Sequence, residues 1–490
     1  MLQQSKLIRS RDEWKTKAVQ RATEIRERRK AEKRSKEKIA ELCKQIGELS
    51  LALEDAKKKQ LTPLPAPIID LSEARLTRAL CVLLVIQAVV SYRSVPRILG
   101  LFKAETMPRL AWIPHFTSVI NWTLRLGLGL LNQVKAIKPR WLAIIDHSID
   151  IGTKKVLVVL RVPVDVLANK GAAIQLQDCE CIGLKVCEQV NGESIALDLA
   201  AIFSQAGAPA AIIKDGDHTL AKGVRLWSGT QDVPVPVIAD IGHAMAIALK
   251  DQFEKAPSYQ RFAALTTQGA KRLRQTDLAF LIPPKLRTKG RFQSISTLGK
   301  WADNMLDVFA VKGGAKKGSL LARLRTALPG LLLLKPFIKC FARTTQVISQ
   351  VLGVLKNQGL SQATYEHCLC LSETLPKNSN VKQRLQQWLH RHIAIQREIT
   401  DLPLLVSSDI IESLFGNFKY VIARSPQADM NRTALLIPAL CGNLDRITVT
   451  QALNQTRHKD LEVWEQANIP YTVRKKRRAF FGKKIAKNRE

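Results

Sequence analysis

The sequence predicts a multidomain protein of the α plus α/β class. An N-terminal helical region precedes a mixed-sheet core that is interrupted by an all-α insertion. Three observations carry that prediction. Short β-branched runs cluster between residues 141 and 243, first in succession and then alternating with helical patterns. Residues 244–405 read as mostly helical. The stretch "SSDIIESLFGNFKY" (407–420) then sets a glutamate beside an apolar helical stripe. At 490 residues and 46% hydrophobic, the chain can bury cores for roughly two to four domains.

The 76 basic residues exceed the 42 acidic ones by 34. A surface so positive repels itself unless a polyanion is near, so nucleic acid is the expected partner, bound by counterion release. An anionic membrane surface ranks second. No membrane anchor is expected, because the longest apolar run near the start, "ALCVLLVIQAVV" (79–90), is 12 residues. A bilayer span needs roughly 20. The opening "MLQQSKLIRSRDEW" lacks the apolar core of a signal peptide. The nine cysteines include "CEC" and "CLC" but lack the CxxC spacing of structural zinc sites. Reduced thiols in a cytoplasmic protein are expected.

Residues 1–60 form a basic helical, coiled-coil-like segment. Its charged part, 5–59, holds 18 basic and 10 acidic residues. Within it Ile39, Leu42, Ile46, Leu49 and Leu53 step 3, 4, 3, 4, the seam of a coiled coil and one route to a homodimer. The prolines of 61–71 make a linker. Residues 72–135 read as a compact helical domain of helix-turn-helix type. "SYRSVPRILGLF" supplies Arg97, and "IPHFTSVINWTLRLG" lines up Thr117, Ser118, Asn121 and Arg125 on one polar side. Short polar groups with an arginine suit a helix that reads a DNA groove.

Residues 141–243 hold the sheet. "WLAIIDHS", "KKVLVVLRV" and "CIGLKVCEQV" are strands expected to form an antiparallel meander joined by short turns. "SIALDLAAIFSQAGA" is a helix, "PAAIIKDGD" a strand, "HTLAKGVRLW" a helix and "VPVIAD" a strand. The later strands should join in parallel. Residues 244–405 are the all-α insertion, with basic patches that include Arg272 and Arg274. Residues 406–425 hold the glutamate helix, and 426–490 a helical region and a tail. From Arg474 that tail carries nine basic residues and one acidic one, a run expected to touch phosphates.

Three acids stand out. Asp146 ends the first strand and Asp215 the fourth, each where an apolar run meets a loop. Glu412 adjoins the stripe Ile411, Leu414, Phe415 and Phe418. Gly416 and Lys419 follow Glu412 on its own side. Glycine costs about 1 kcal/mol against alanine inside a helix, and what it gives is open space in front of Glu412. A second reading makes Asp409 and Glu412 a capping box. Acids gathered at one point repel and imply divalent cations; Mg²⁺ suits oxygen ligands, and a pair of such ions serves phosphoryl transfer. Asp150 competes with Asp146 and Asp217 with Asp215; the residue directly after each strand is preferred. His147 should face the opposite side of the sheet.

These motifs resemble the DDE transposases of bacterial insertion sequences, which have a ribonuclease-H-like core. "AIIDHS" resembles the first-aspartate strand, "IIKDGDHTLAKGV" the second and "SSDIIESLFGNFK" the glutamate helix. "ADIGHAMA" resembles the (C/D)xxH motif of members with an all-α insertion, through Asp240 and His243. The resemblance covers roughly residues 141–425, and the four motifs stand in the family's order. It implies catalytic and metal-binding roles for Asp146, Asp215 and Glu412, with two Mg²⁺ that Mn²⁺ can replace. Asp240 and His243 would support the site, and Lys419 would contact a phosphate. It further implies cleavage and strand transfer on double-stranded DNA by a homodimer or larger assembly at the nucleoid. Two other readings stay open: a transposase-derived DNA-binding protein without chemistry, and a ribonuclease-H-like nuclease without strand transfer.

Overall fold

The computed structural model describes residues 2–60, 74–105, 112–136, 140–147, 154–187, 190–286, 292–293, 295–310, 315–422, 431–469, 471–472 and 475–481. The chain divides into two units, Met1–Asp70 and Leu71–Glu490. The first unit holds one helix, α1 (Leu2–Gln60). Ile39 and Leu42 of its seam are exposed; the side chains of Ile46, Leu49 and Leu53 lie outside the described residues, as does the 61–71 linker.

The second unit opens with α2 (Ala74–Ile86), α3 (Ser94–Glu105) and α4 (Phe116–Asn132). The sheet follows: β1 (Trp141–His147), β2 (Lys155–Pro163), α5 (Val164–Lys170), β3 (Glu180–Cys187), α6 (Gly192–Ala206), β4 (Ala211–Lys214), α7 (His218–Ser228) and β5 (Val237–Ala239). The expected insertion is α8 (Ile241–Phe253), α9 (Pro257–Leu273), α10 (Ser296–Phe309), α11 (Leu320–Ala327), α12 (Lys335–Gln358), α13 (Gln362–Glu373) and α14 (Asn380–Ile399). The glutamate lies on α15 (Asp409–Ile422). Beyond it come α16 (Leu436–Ala439), α17 (Arg446–Gln455) and α18 (His458–Asn468).

The five strands lie in the order β3-β2-β1-β4-β5. β1, β2 and β3 pair antiparallel, and β4 and β5 join β1 in parallel, as the alternation with helices requires. One expected feature differs. The link from β2 to β3 is not a short turn but carries α5. Both faces of the sheet are covered, so β1 is a continuous buried apolar run from Trp141 to Ile145. On one face Trp141, Ala143, Ile145 and Ile212 pack on Leu199, Leu220 and Trp227 of α6 and α7. On the other, Leu142, Ile144, Ala211, Ile213 and Ile238 join a core that extends through the insertion, α15 and the helices at both ends of the unit.

The N-terminal helices share that core. α4 packs on α16 and α17. A Cβ at Gly127 would sit 1.6 Å from the Leu435 carbonyl oxygen, so only glycine permits this approach. The edge strand β5 is closed by the insertion rather than by a sixth strand. His392 Nε2 accepts the Ala239 N–H at 3.0 Å, and Trp388 Nε1 donates to the Ala239 carbonyl at 3.0 Å. All nine cysteines are free thiols, and among the described residues no helix is long and apolar enough to cross a membrane.

Candidate functional site

The register of the parallel strands builds the site. Ile144 is level with Ile213, and Ile213 with Ile238. Side chains two residues on fall on the same face. Asp146, Asp215 and Asp240 therefore follow these three apolar residues at the carboxyl ends of three neighbouring strands. The ladder continues to that row, since the Asp240 N–H donates to the Lys214 carbonyl at 3.0 Å. The row faces the core that contains the buried side of α15.

Asp146 is 9% exposed, and its Oδ1 accepts the His147 N–H at 2.6 Å. Burial first, and then the charge of Asp215, push its carboxyl up to about 7; Glu412 pushes in the same direction and His243 opposes. Asp215 is half-buried and its Oδ1 accepts the Asp217 N–H at 3.0 Å. Glu412 is exposed, and its Oε1 lies 3.8 Å from His243 Nε2. Burial also raises its carboxyl, against the pull of His243. Asp146 thus feels the charges of Asp215, His243 and Glu412.

Asp240 works differently. It is 2% exposed and is the N-cap of α8. Oδ1 accepts the His243 N–H at 2.7 Å and sits 3.1 Å from its Nδ1. Oδ2 accepts the N–H and hydroxyl of Ser408, at 2.6 and 3.0 Å. Burial alone would raise this carboxyl, but the bonds from His243 and Ser408 outweigh it and hold the group at about 2. The same bond takes the His243 imidazole up to about 9. Asp240 therefore joins the end of β5, the first turn of α8 and the residue before α15.

Asp217 caps α7, its Oδ1 accepting from Thr219 N and Leu220 N at 2.8 and 2.9 Å. His147 lies on the other side of the sheet, its Nε2 3.4 Å from Asp217 Oδ1. Asp150 lies outside the described residues. Asp409 pairs with Lys356 of α12 at 2.5 Å. Gly416 is exposed, and a Cβ there would meet nothing within 4 Å, so the packing of this chain does not require glycine. Lys419 is exposed one turn beyond it.

The expected DNA contacts divide. Arg97 and Arg274 are exposed. Arg272 is exposed too, with a weak donation to the Ala327 carbonyl at 3.3 Å. Asn121 is half-buried. Arg125 is half-buried: its guanidinium donates to the Thr456 carbonyl at 2.6 Å and to the Leu453 carbonyl, closing the end of α17. The apolar side of α4, with Trp122, Leu124, Leu126 and Leu128, is buried, and on its polar side Arg125 meets α17 while Thr117 stays exposed. Three participants escaped the sequence: Ser408, Lys356 and Gln293, whose amide lies 3.0 Å from His243 Nε2. Only Ser408 left a signal, as a polar residue just before an amphipathic helix.

Among the described residues, no three His, Cys, Asp or Glu side chains are gathered closely enough to hold one ion. The donor set is nevertheless hard and oxygen-rich. Mg²⁺ takes few protein ligands and completes its shell with water and phosphate, so an open set of repelling carboxylates fits it.

No family model matches the chain, and no curated protein matches it. Among solved structures, it is similar to a Drosophila P element transposase strand transfer complex, at TM-score 0.40 and 10% identity over 84% of this chain and 98% of that one.

Proposed function

We propose that the chain is a DNA transposase of the DDE type with a ribonuclease-H-like core. One observation carries this reading: Asp146 and Asp215 end neighbouring parallel strands on the face whose core includes α15, and the charges of Asp215 and Glu412 both bear on Asp146. A protein that only binds DNA gains nothing from acids set at neighbouring strand ends in a chain of charge +34.

In this reading Asp146, Asp215 and Glu412 hold two Mg²⁺, or Mn²⁺. When bound, these ions activate a water or a 3′-hydroxyl and stabilise the leaving oxygen of an in-line displacement. The protein supplies position. The short aspartates fix two points on rigid strand ends, and the longer glutamate reaches them from α15. Asp240 fixes the entry to α15 and orients His243. Gly416 leaves room for the DNA backbone, and Lys419 lies one turn on, at a phosphate. No serine or tyrosine nucleophile is needed. Pairing two DNA ends calls for at least a homodimer, and the seam of α1 is its first candidate interface.

The test is cleavage and strand transfer on DNA carrying the ends of the gene's own element. Asp146→Asn, Asp215→Asn and Glu412→Gln should each abolish Mg²⁺-dependent products and leave DNA binding nearly intact. Retained cleavage by Glu412→Gln overturns its assignment. The ungathered carboxylates favour a second reading, a transposase-derived DNA-binding protein without chemistry. It predicts DNA binding with no metal-dependent product. A nuclease sharing the site would give cleavage without strand transfer.

A further inference from the structure

The basic C-terminal segment is fastened to the same end of the sheet as the carboxylates. Lys154, 3% exposed, donates from Nζ to the Tyr471 carbonyl at 2.6 Å. Lys154 immediately precedes β2, whose Val158 is level with Asp146. At about 3.3 Å per residue, the anchor lies roughly 13 Å beyond the Asp146 row, on the loop side. Ile469 and Thr472 are buried on either side of Tyr471. Thr472 then starts residues 475–481 as a helix: its carbonyl accepts the Lys476 N–H at 2.9 Å and its Oγ1 the Lys475 N–H at 3.2 Å.

That helix has an unusual surface. Lys475, Lys476, Arg477 and Arg478 are exposed. Phe480 and Phe481 follow, 61% and 58% exposed, with ring centroids 5.4 Å apart and nearly perpendicular. Two adjacent, largely exposed phenylalanines thus follow four exposed cations. Cations with aromatic platforms are the equipment for gripping a nucleic-acid backbone and stacking on bases that lack a partner. A staggered cut would expose such bases.

We propose that residues 475–481 are a DNA-contacting arm fixed at the rim of the carboxylate site. Lys475, Lys476, Arg477 and Arg478 contact backbone phosphates, and Phe480 and Phe481 stack on unpaired bases next to the cut. The arm's place beside a cut rests on the transposase reading, whereas its grip on DNA does not.

The experiment uses the full chain without divalent metal, so it reads binding whether or not the acids are catalytic. Fluorescence anisotropy compares a fully paired duplex with one that ends in a short unpaired fork, across a salt series. Replacing the four cations by alanine should weaken both and lower the slope of log K against log salt by roughly 3 to 4. Phe480→Ala with Phe481→Ala should leave the paired duplex unchanged and weaken the fork by roughly tenfold or more. A photo-crosslinking residue at position 480 should label the fork and not the distal duplex. An unchanged salt slope with an unchanged fork preference overturns the proposal. So does a set of cation variants that lose binding to anionic phospholipid vesicles while DNA binding stays constant, which would assign the arm to a membrane surface. Failure of the transposase reading would register separately, as Glu412→Gln cleaving like the parent protein.

Discussion

Ser408 donates its backbone N–H to Asp240 Oδ2 at 2.6 Å, across 168 residues of sequence. The bond spans the whole insertion and brings its two ends together: Asp240 precedes α8, and Ser408 precedes α15. A buried carboxylate with four donors is costly to change, because each donor loses its acceptor in a place without water.

Asp240→Asn should therefore destabilise the fold by on the order of 3 kcal/mol, read as a lower urea midpoint. The amide nitrogen must face either Ser408 or His243, and both offer hydrogens. His243 should titrate well below its present value of about 9 in the same variant, visible by NMR. An unchanged histidine titration would show that Asp240 does not set its charge.

The dependence of stability on pH holds two opposing parts. His392 is buried, and burial, reinforced by the charge of Arg391, drops its imidazole from 6.5 to about 4. The unfolded chain binds the extra proton between those values. His392 therefore stabilises the fold above about 6.5, and that contribution, roughly 3 kcal/mol, is lost as pH falls through 4. Asp146 runs the other way. Its folded value of about 7 lies above the unfolded 3.8, so its contribution is present below 3.8 and is lost as pH rises through 7. His392→Gln should flatten the rise in stability between pH 4 and 6.5, and Asp146→Asn should steepen it. Identical pH profiles for the two variants would refute the assignment of opposite signs.

Gly416 separates stability from function. Gly416→Ala fills a space that no atom of this chain occupies. It should stabilise α15 by about 1 kcal/mol through helix propensity. Under the proposed function it should also slow DNA cleavage, because the methyl stands where the backbone would pass. A more stable variant with unchanged cleavage would return Gly416 to a neutral surface position.

Gly127 makes the contrary case. Alanine there would drive Cβ into the Leu435 carbonyl. Backbone cannot step aside as a side chain can, so Gly127→Ala should cost about 3 kcal/mol or more. Thermal unfolding would read it directly. A neutral result would mean that α4 does not lie against the Leu435 turn.

The sequence by itself determined the strands, because a β-branched run such as "WLAIIDHS" has few alternatives when both faces are buried. Their alternation with helices determined which pair in parallel. That Asp146 and Asp215 sit at strand ends was legible from the apolar runs before them. The opposite facing of His147 followed from the two-residue period of a strand. Tertiary structure alone decided the rest. Arg125 has the spacing of a groove-reading arginine, yet it closes α17, because which side of a helix meets solvent depends on neighbours hundreds of residues away. Asp240 and Ser408 meet only once the insertion is folded. Gly127 and Gly416 are the same letter inside a helix: one is required by a carbonyl 1.6 Å from its missing Cβ, and the other by nothing in the chain. Local propensity is written in consecutive residues. Contact across a core is fixed by packing, which no short stretch of sequence contains.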